Sequence, residues 1–364
     1  MKRPGLVSMV TAVLFAIHAP PERAMAAHDA IHGIWMQAAT MPAPEMSHEA
    51  VLLRDGRVMV LGGEPLLGVP VSWTQVYDPS TRSWSTSESM HFARIGFTAS
   101  VLGDGRVLVV GGVDDNLNDL ATAEAWTPAT DTWSLLPNLL QTRFSQSASL
   151  LPDGRVLLVG GIVDGAISRS TVIFDPTSDV FVTGPPTRFP HAQACIAVLR
   201  DGRILVAGGY GGNPEVYDPH AQSWTPTGVT PKRIRPLMSS LPDWSVLLAG
   251  GTSPGGRDLR TASVFHPADN RWTDTGSLRE PRNSEAGALL RDGRVLVAAG
   301  EQVDDHLLRT AELYDPGKRA WTVTAPMHVA RSGATSTVLL DGTVLVCGGG
   351  DFIGALSSCE TYHS

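Results

Sequence analysis

Short apolar runs of four or five residues recur along the chain, most of them opened by Asp-Gly and closed by paired glycines. The stretch DGRVLVVGG runs from Asp104 to Gly112, and close copies begin at Asp55, Asp153 and Asp201. Looser copies, DWSVLLAGG, DGRVLVAAG and DGTVLVCGG, begin at Asp243, Asp292 and Asp341. From Asp to Asp the seven copies are separated by 49, 49, 48, 42, 49 and 49 residues, and a fixed spacing of this kind marks a repeat architecture. The apolar runs bounded by Gly, Pro and Asp read as strands, and Asp-Gly between two of them reads as a tight hairpin turn. A further segment such as AELYDP (Ala311 to Pro316) ends at an Asp-Pro bend, where proline's fixed φ suits the second turn position, and a tryptophan follows. Each unit is therefore expected to supply four antiparallel strands.

The tryptophan column runs Trp84, Trp133, Trp224, Trp272 and Trp321, with Phe181 in the third unit. The last unit stops at CETYHS with three strands, while IWMQAATM, carrying Trp35, stands near the other end without preceding strands. The two ends complete each other. An all-β, seven-bladed propeller follows, its last blade closed by an N-terminal strand, because ring closure hides strand edges that would otherwise pair with other chains. With its paired glycines and near-50-residue period, the chain resembles a kelch-repeat β-propeller of the type that forms the central domain of galactose oxidase. It is similar as well to bacterial secreted kelch proteins. The resemblance covers Gly33 to Ser364 and speaks for the fold; function on a propeller lives in the site.

Composition adds a compartment and removes some partners. Lys2 and Arg3 precede the apolar run from Gly5 to Ile17, and Ala24-Met25-Ala26 fits a small-residue cleavage site, so residues 1–26 read as a signal peptide and residues 27–364 as one propeller domain. A secreted or periplasmic location is expected. Removing three cations and one anion takes the formal charge from −8 to −10, which argues against nucleic acid or an acidic membrane surface as partner. No later stretch is apolar enough to span a bilayer, and a monomer is expected. Cys347 and Cys359 flank one hairpin and could pair in an oxidising compartment, which leaves Cys195 single.

Chain order puts the loops after Gly-Gly and the inter-blade crossings on one face. Ten residues before each repeated Asp stand Glu45, Arg94, Arg143, His191, Arg233, Arg282 and Arg331. They are expected around the channel mouth, where guanidinium groups bind carboxylates in bidentate geometry. The alternative is that they stitch blades together. Glu45, His48 and Glu285 are the candidate proton carriers of an enzyme, and Tyr210 stands beside the short loop of the fourth unit. Tyr210 and Phe97 are the aromatics expected on this face.

Three functions stay open: binding of a small anionic or glycan ligand, an enzyme of the sugar-acid mutarotase or epimerase type, or a platform for a protein partner. The resemblance to galactose oxidase raises a copper site, but Tyr362-His363 aligns with the ordinary third-strand tyrosine of the repeat. No cofactor is expected; clustered acids such as Val303 to His306 leave calcium or another divalent metal as an alternative.

Overall fold

A computed structural model describes residues 33–364. The signal-peptide reading and the first residues of the domain lie outside the described residues. Among the described residues there is no helix, and the strands form seven four-stranded antiparallel sheets. We number these blades 1 to 7. Their innermost strands are Glu49–Leu52, Thr98–Val101, Ser147–Leu150, Cys195–Val198, Leu237–Ser240, Ala286–Leu289 and Thr335–Val338. Each lies beside the innermost strands of the two adjacent blades, the seventh beside the first, so the ring is closed around an axial channel.

The core sits between blades. The second strands, such as Val58–Leu61 and Val107–Val110, are buried along their whole length because a neighbouring blade covers each face. Met59, Leu61 and Val76 of blade 1 pack in one cluster with Phe97, Val107, Val109 and Trp126 of blade 2, and the arrangement repeats around the ring. The tryptophan column ties the outer rim. Trp84 Nε1 donates to Ala39 O at 2.9 Å, Trp133 Nε1 to Glu88 O at 2.9 Å and Trp321 Nε1 to Gly276 O at 2.8 Å, each reaching the tail of the preceding blade. Blade 7 is completed as the sequence suggests: Ile34–Gln37 pairs antiparallel with Cys359–His363, and Trp35 Nε1 donates to Ala325 O of blade 6 at 2.8 Å.

The Asp-Gly turns have one construction. In blade 1, Asp55 Oδ1 accepts from Arg57 N at 3.1 Å while Gly56 takes φ 90°, the left-handed position that closes this hairpin type. Blade 5 places Trp244 there at φ 67°, a strained conformation for a bulky residue. Cys347 and Cys359 face each other on the second and third strands of blade 7 and form a disulfide; Cys195 is free.

Candidate functional site

In a blade whose strands run inner to outer in antiparallel order, the Asp-Gly and Asp-Pro turns fall on one face, the turn face. The loops after the paired glycines and the crossings between blades fall on the other, the loop face. The candidate residues of the crossings therefore do gather around the inner edge of the loop face, but their side chains are not open to a ligand.

The five column arginines, Arg94, Arg143, Arg233, Arg282 and Arg331, are all buried, which corrects the expectation of an exposed arginine ring. The reason is local. Arg94 Nη1 donates to Gly111 O at 2.8 Å and Nη2 to Glu124 Oε1 at 2.6 Å; Glu124 in turn accepts from the backbone N–H groups of His91 and Phe92. Arg282 reaches Ala299 O at 2.8 Å and Glu312 at 3.3 Å, and Arg331 reaches Gly348 O at 2.8 Å and Glu360 at 3.4 Å. Guanidinium, strand-three glutamate and crossing backbone thus tie together inside blades 2, 6 and 7. His191 does the same work in blade 4, its Nε2 lying 3.1 Å from Glu215 Oε1. The glutamate of this unit was not singled out in the sequence, although it follows its arginine by a constant interval of about 30 residues.

Two blades break the pair. Val172 in blade 3 and Ser263 in blade 5 stand where other blades carry the glutamate. Arg143 and Arg233 are accordingly held by carbonyls and hydroxyls, and burial lowers both to about 10. In blade 1 the pair is reversed: Glu45 Oε1 accepts from Gln75 Nε2 at 2.9 Å, its Oε2 has no partner, and burial raises its pKa to about 8.

Of the other candidate proton carriers, His48 is buried, with Nε2 2.8 Å from Thr335 Oγ1, and burial lowers it to about 4. Glu285 accepts from Leu237 N at 3.0 Å and is raised by burial to about 8, and Glu49, on the innermost strand of blade 1, is raised to about 7. Glu285 and His48 are wedges. In several blades a side chain from the crossing lies over the first glycine of the preceding blade: a Cβ on Gly250 would stand 2.5 Å from Glu285 Oε1, and one on Gly62 would stand 2.8 Å from the Phe97 ring. That packing explains the repeated glycine, and it buries Phe97, which is therefore not an aromatic of the surface as expected. Tyr210 is exposed, on a short ladder in which Ala192 pairs with Tyr210. Among the described residues, the arginine exposed at the inner crossing ring is Arg235, 3.3 Å from Ser284 Oγ and 3.5 Å from Glu301.

What the sequence reading missed is a group of exposed apolar side chains on the loop face. Leu66, Leu67 and Val69 of blade 1 and Phe352 and Ile353 of blade 7 are exposed, Ile353 at 94%. Their loops are built rather than loose. Gly68 N donates to Glu64 Oε2 at 2.6 Å and Val69 N to Leu66 O at 3.0 Å; in blade 7, Asp351 Oδ1 accepts from Ile353 N at 2.7 Å and Gly354 N at 3.1 Å. The two loops adjoin: a Cβ on Gly350 would lie 3.2 Å from Met46 Sδ, and Met46 bridges to Glu64. Exposed apolar side chains thus stand on the loops of two neighbouring blades, 1 and 7.

Closed ring, paired glycines and inward-tied crossings define a seven-bladed kelch-type β-propeller. Comparison with known proteins agrees: a kelch-motif family model matches residues 95–140. Human Kelch-like protein 38 is 37% identical over 65 residues, 18% of this chain and 11% of that protein, so the likeness spans about a tenth of the relative's length. Among solved structures, a fungal alcohol oxidase of the AA5 family, in complex with copper, superposes with a TM-score of 0.74 at 20% identity, covering 91% of this chain and 76% of its own. At that identity the match speaks for the fold. The donors of this chain do not fit copper at the tyrosine-histidine pair: Tyr362 is buried with its hydroxyl 2.9 Å from Thr324 Oγ1, while His363 is exposed at the end of the strand. Among the described residues no three His, Cys, Asp or Glu side chains are placed to hold a metal ion, and no helix is long and apolar enough to cross a membrane.

Proposed function

We propose that this propeller is a secreted or periplasmic binding module that docks a protein partner on its loop face. The observation that carries the reading is the group of exposed apolar side chains Leu66, Leu67, Val69, Phe352 and Ile353 on the loops of two neighbouring blades, since exposed apolar surface gathered on one face marks an interaction site. The Cys347–Cys359 disulfide suits the oxidising compartment that residues 1–26 would direct it to. The partner supplies apolar side chains to this group; the buried arginines hold the blades that present it.

A second reading has one specific observation behind it. Arg235 is exposed at the inner crossing ring, so a small carboxylate or sugar acid has one cation there to pair with. This keeps the anionic-ligand and mutarotase-type alternatives on the same face.

The test is capture of partners from the native secreted fraction by the intact protein and by a Leu66→Asp/Ile353→Asp variant. The expected result is loss of captured protein in the variant with the melting temperature unchanged, because both side chains are exposed. Capture undiminished by the two charges, or a melting response to sugar acids abolished by Arg235→Ala, moves the function to the axial crossings.

A further inference from the structure

Away from the loop face, the looser copy DWSVLLAGG of blade 5 leaves a place unfilled. In blade 2, the turn arginine Arg106 gives Nε to Asp104 Oδ2 at 2.7 Å, then crosses to blade 3, donating through Nη2 to Pro176 O at 2.8 Å and through Nη1 to Asp179 Oδ1 at 3.0 Å. In blade 4, Arg203 gives Nε to Asp201 Oδ2 at 2.8 Å and Nη2 to Pro267 O of blade 5 at 3.0 Å. In these two blades a guanidinium bridges the turn aspartate of one blade and the proline carbonyl of the next, whereas Arg57, Arg155 and Arg294 bond their own turn aspartates. Blade 5 has Ser245 at this position, whose N and Oγ both use Asp243 Oδ1, at 3.0 and 2.6 Å, and whose side chain is too short to cross. A cleft of about 500 Å³ opens there, lined by Pro242 and Asp243 of blade 5 and by Asp292, Arg294, Asp315 and Pro316 of blade 6.

The remaining charges are accounted for. Arg294 is tied to Asp292, and Lys318 lies 3.4 Å from Asp315, so Asp243 is the lining carboxylate without a cation. On the same turn Trp244 is exposed and held at φ 67°, where the other six copies, with Gly, meet no strain. Strain of this kind persists where the residue serves a purpose, and an exposed indole offers a face to a cation.

We propose that this cleft between blades 5 and 6 is a guanidinium-binding site, filled by an arginine side chain supplied from outside the chain. Asp243 Oδ2 and Pro316 O take the N–H groups, as Asp104 and Pro176 do for Arg106. The guanidinium could come from a partner protein or from a free small molecule, and the probes separate these sources.

The experiment is NMR titration of the folded protein with L-arginine, agmatine, an acetyl-Gly-Arg-Gly-amide peptide and L-citrulline, following the Trp244 indole N–H and the Gly293 amide. The guanidinium probes should give saturable shifts at these two signals, and citrulline, the neutral isostere, should give none. A peptide binding at least as tightly as L-arginine indicates a partner's side chain; L-arginine or agmatine binding with the peptide excluded indicates a small molecule. Ser245→Arg, which refills the place from within, should abolish the response, and Asp243→Asn should weaken it about tenfold while leaving the fold intact. Equal response to citrulline, no response to any guanidinium, or full response in Ser245→Arg would overturn the proposal.

Discussion

A buried arginine and an exposed one share a letter, and in this chain the difference decides where function can lie. Arg94 and Arg143 occupy equivalent positions, but Arg94 faces Glu124 whereas Arg143 faces Val172's blade, with no carboxylate. Truncating Arg94 leaves Glu124 buried and partly unpaired, so Arg94→Ala should cost about 3–5 kcal/mol. Arg143→Ala abandons no carboxylate and should cost at least about 1 kcal/mol less in urea unfolding. Equal losses would mean that the glutamate contributes nothing to the tie.

Glu45 gives a pH signature at the same scale. Burial raises its carboxyl from 4.5 to about 8, so the neutral form belongs to the fold. Its contribution is full below pH 4.5 and is lost as the pH rises from there to about 8. Between those limits the protein should lose on the order of 1–3 kcal/mol relative to Glu45→Gln, which has no proton to release. Parallel stability curves for the two proteins would show that Glu45 is solvated. None of this was legible from one letter. The repeat located Arg94 and Glu45 correctly along the chain, but burial depends on the wedge and glutamate of other strands.

Elements were far more legible than side-chain environments, because each carries its own local signal. Asp-Gly turns, Asp-Pro bends and the tryptophan column are fixed by backbone preference and by contacts at constant sequence intervals, and all appear where the pattern puts them. The strand order of the last blade was readable for the same reason: CETYHS needs an outer neighbour and IWMQ needs an inner one. Loops between the second and third strands have no such periodicity, so the pattern carries no signal for the exposed Leu66, Leu67, Phe352 and Ile353, and Phe97, expected at the surface, is buried by packing on Gly62. The disulfide acts at this scale too. It closes a separation of 12 residues between adjacent strands of blade 7, and replacing both cysteines by serine should cost about 2–3 kcal/mol with the blade intact.

For the whole molecule, the ring is held by blade-to-blade clusters and by one strand that joins its two ends. Deleting residues 33–37 exposes the edge of Cys359–His363 and removes Trp35 from the cluster it shares with Met327 and Tyr362. The truncated protein should melt well below the full ring and associate through the bared edge, as light scattering would register. An unchanged melting temperature would show that the closing strand is dispensable.

The central claim is that the loop face, at the junction of blades 7 and 1, is where a partner docks. Its most direct test is site-specific photo-crosslinking in an extract of the native source, with the crosslinker placed at Ile353, at Leu66 and, as an outer-strand control, at Val182, all three exposed. The account predicts the same adduct from Ile353 and Leu66 and none from Val182. Adducts from Val182 alone, or equally from all three positions, would contradict it.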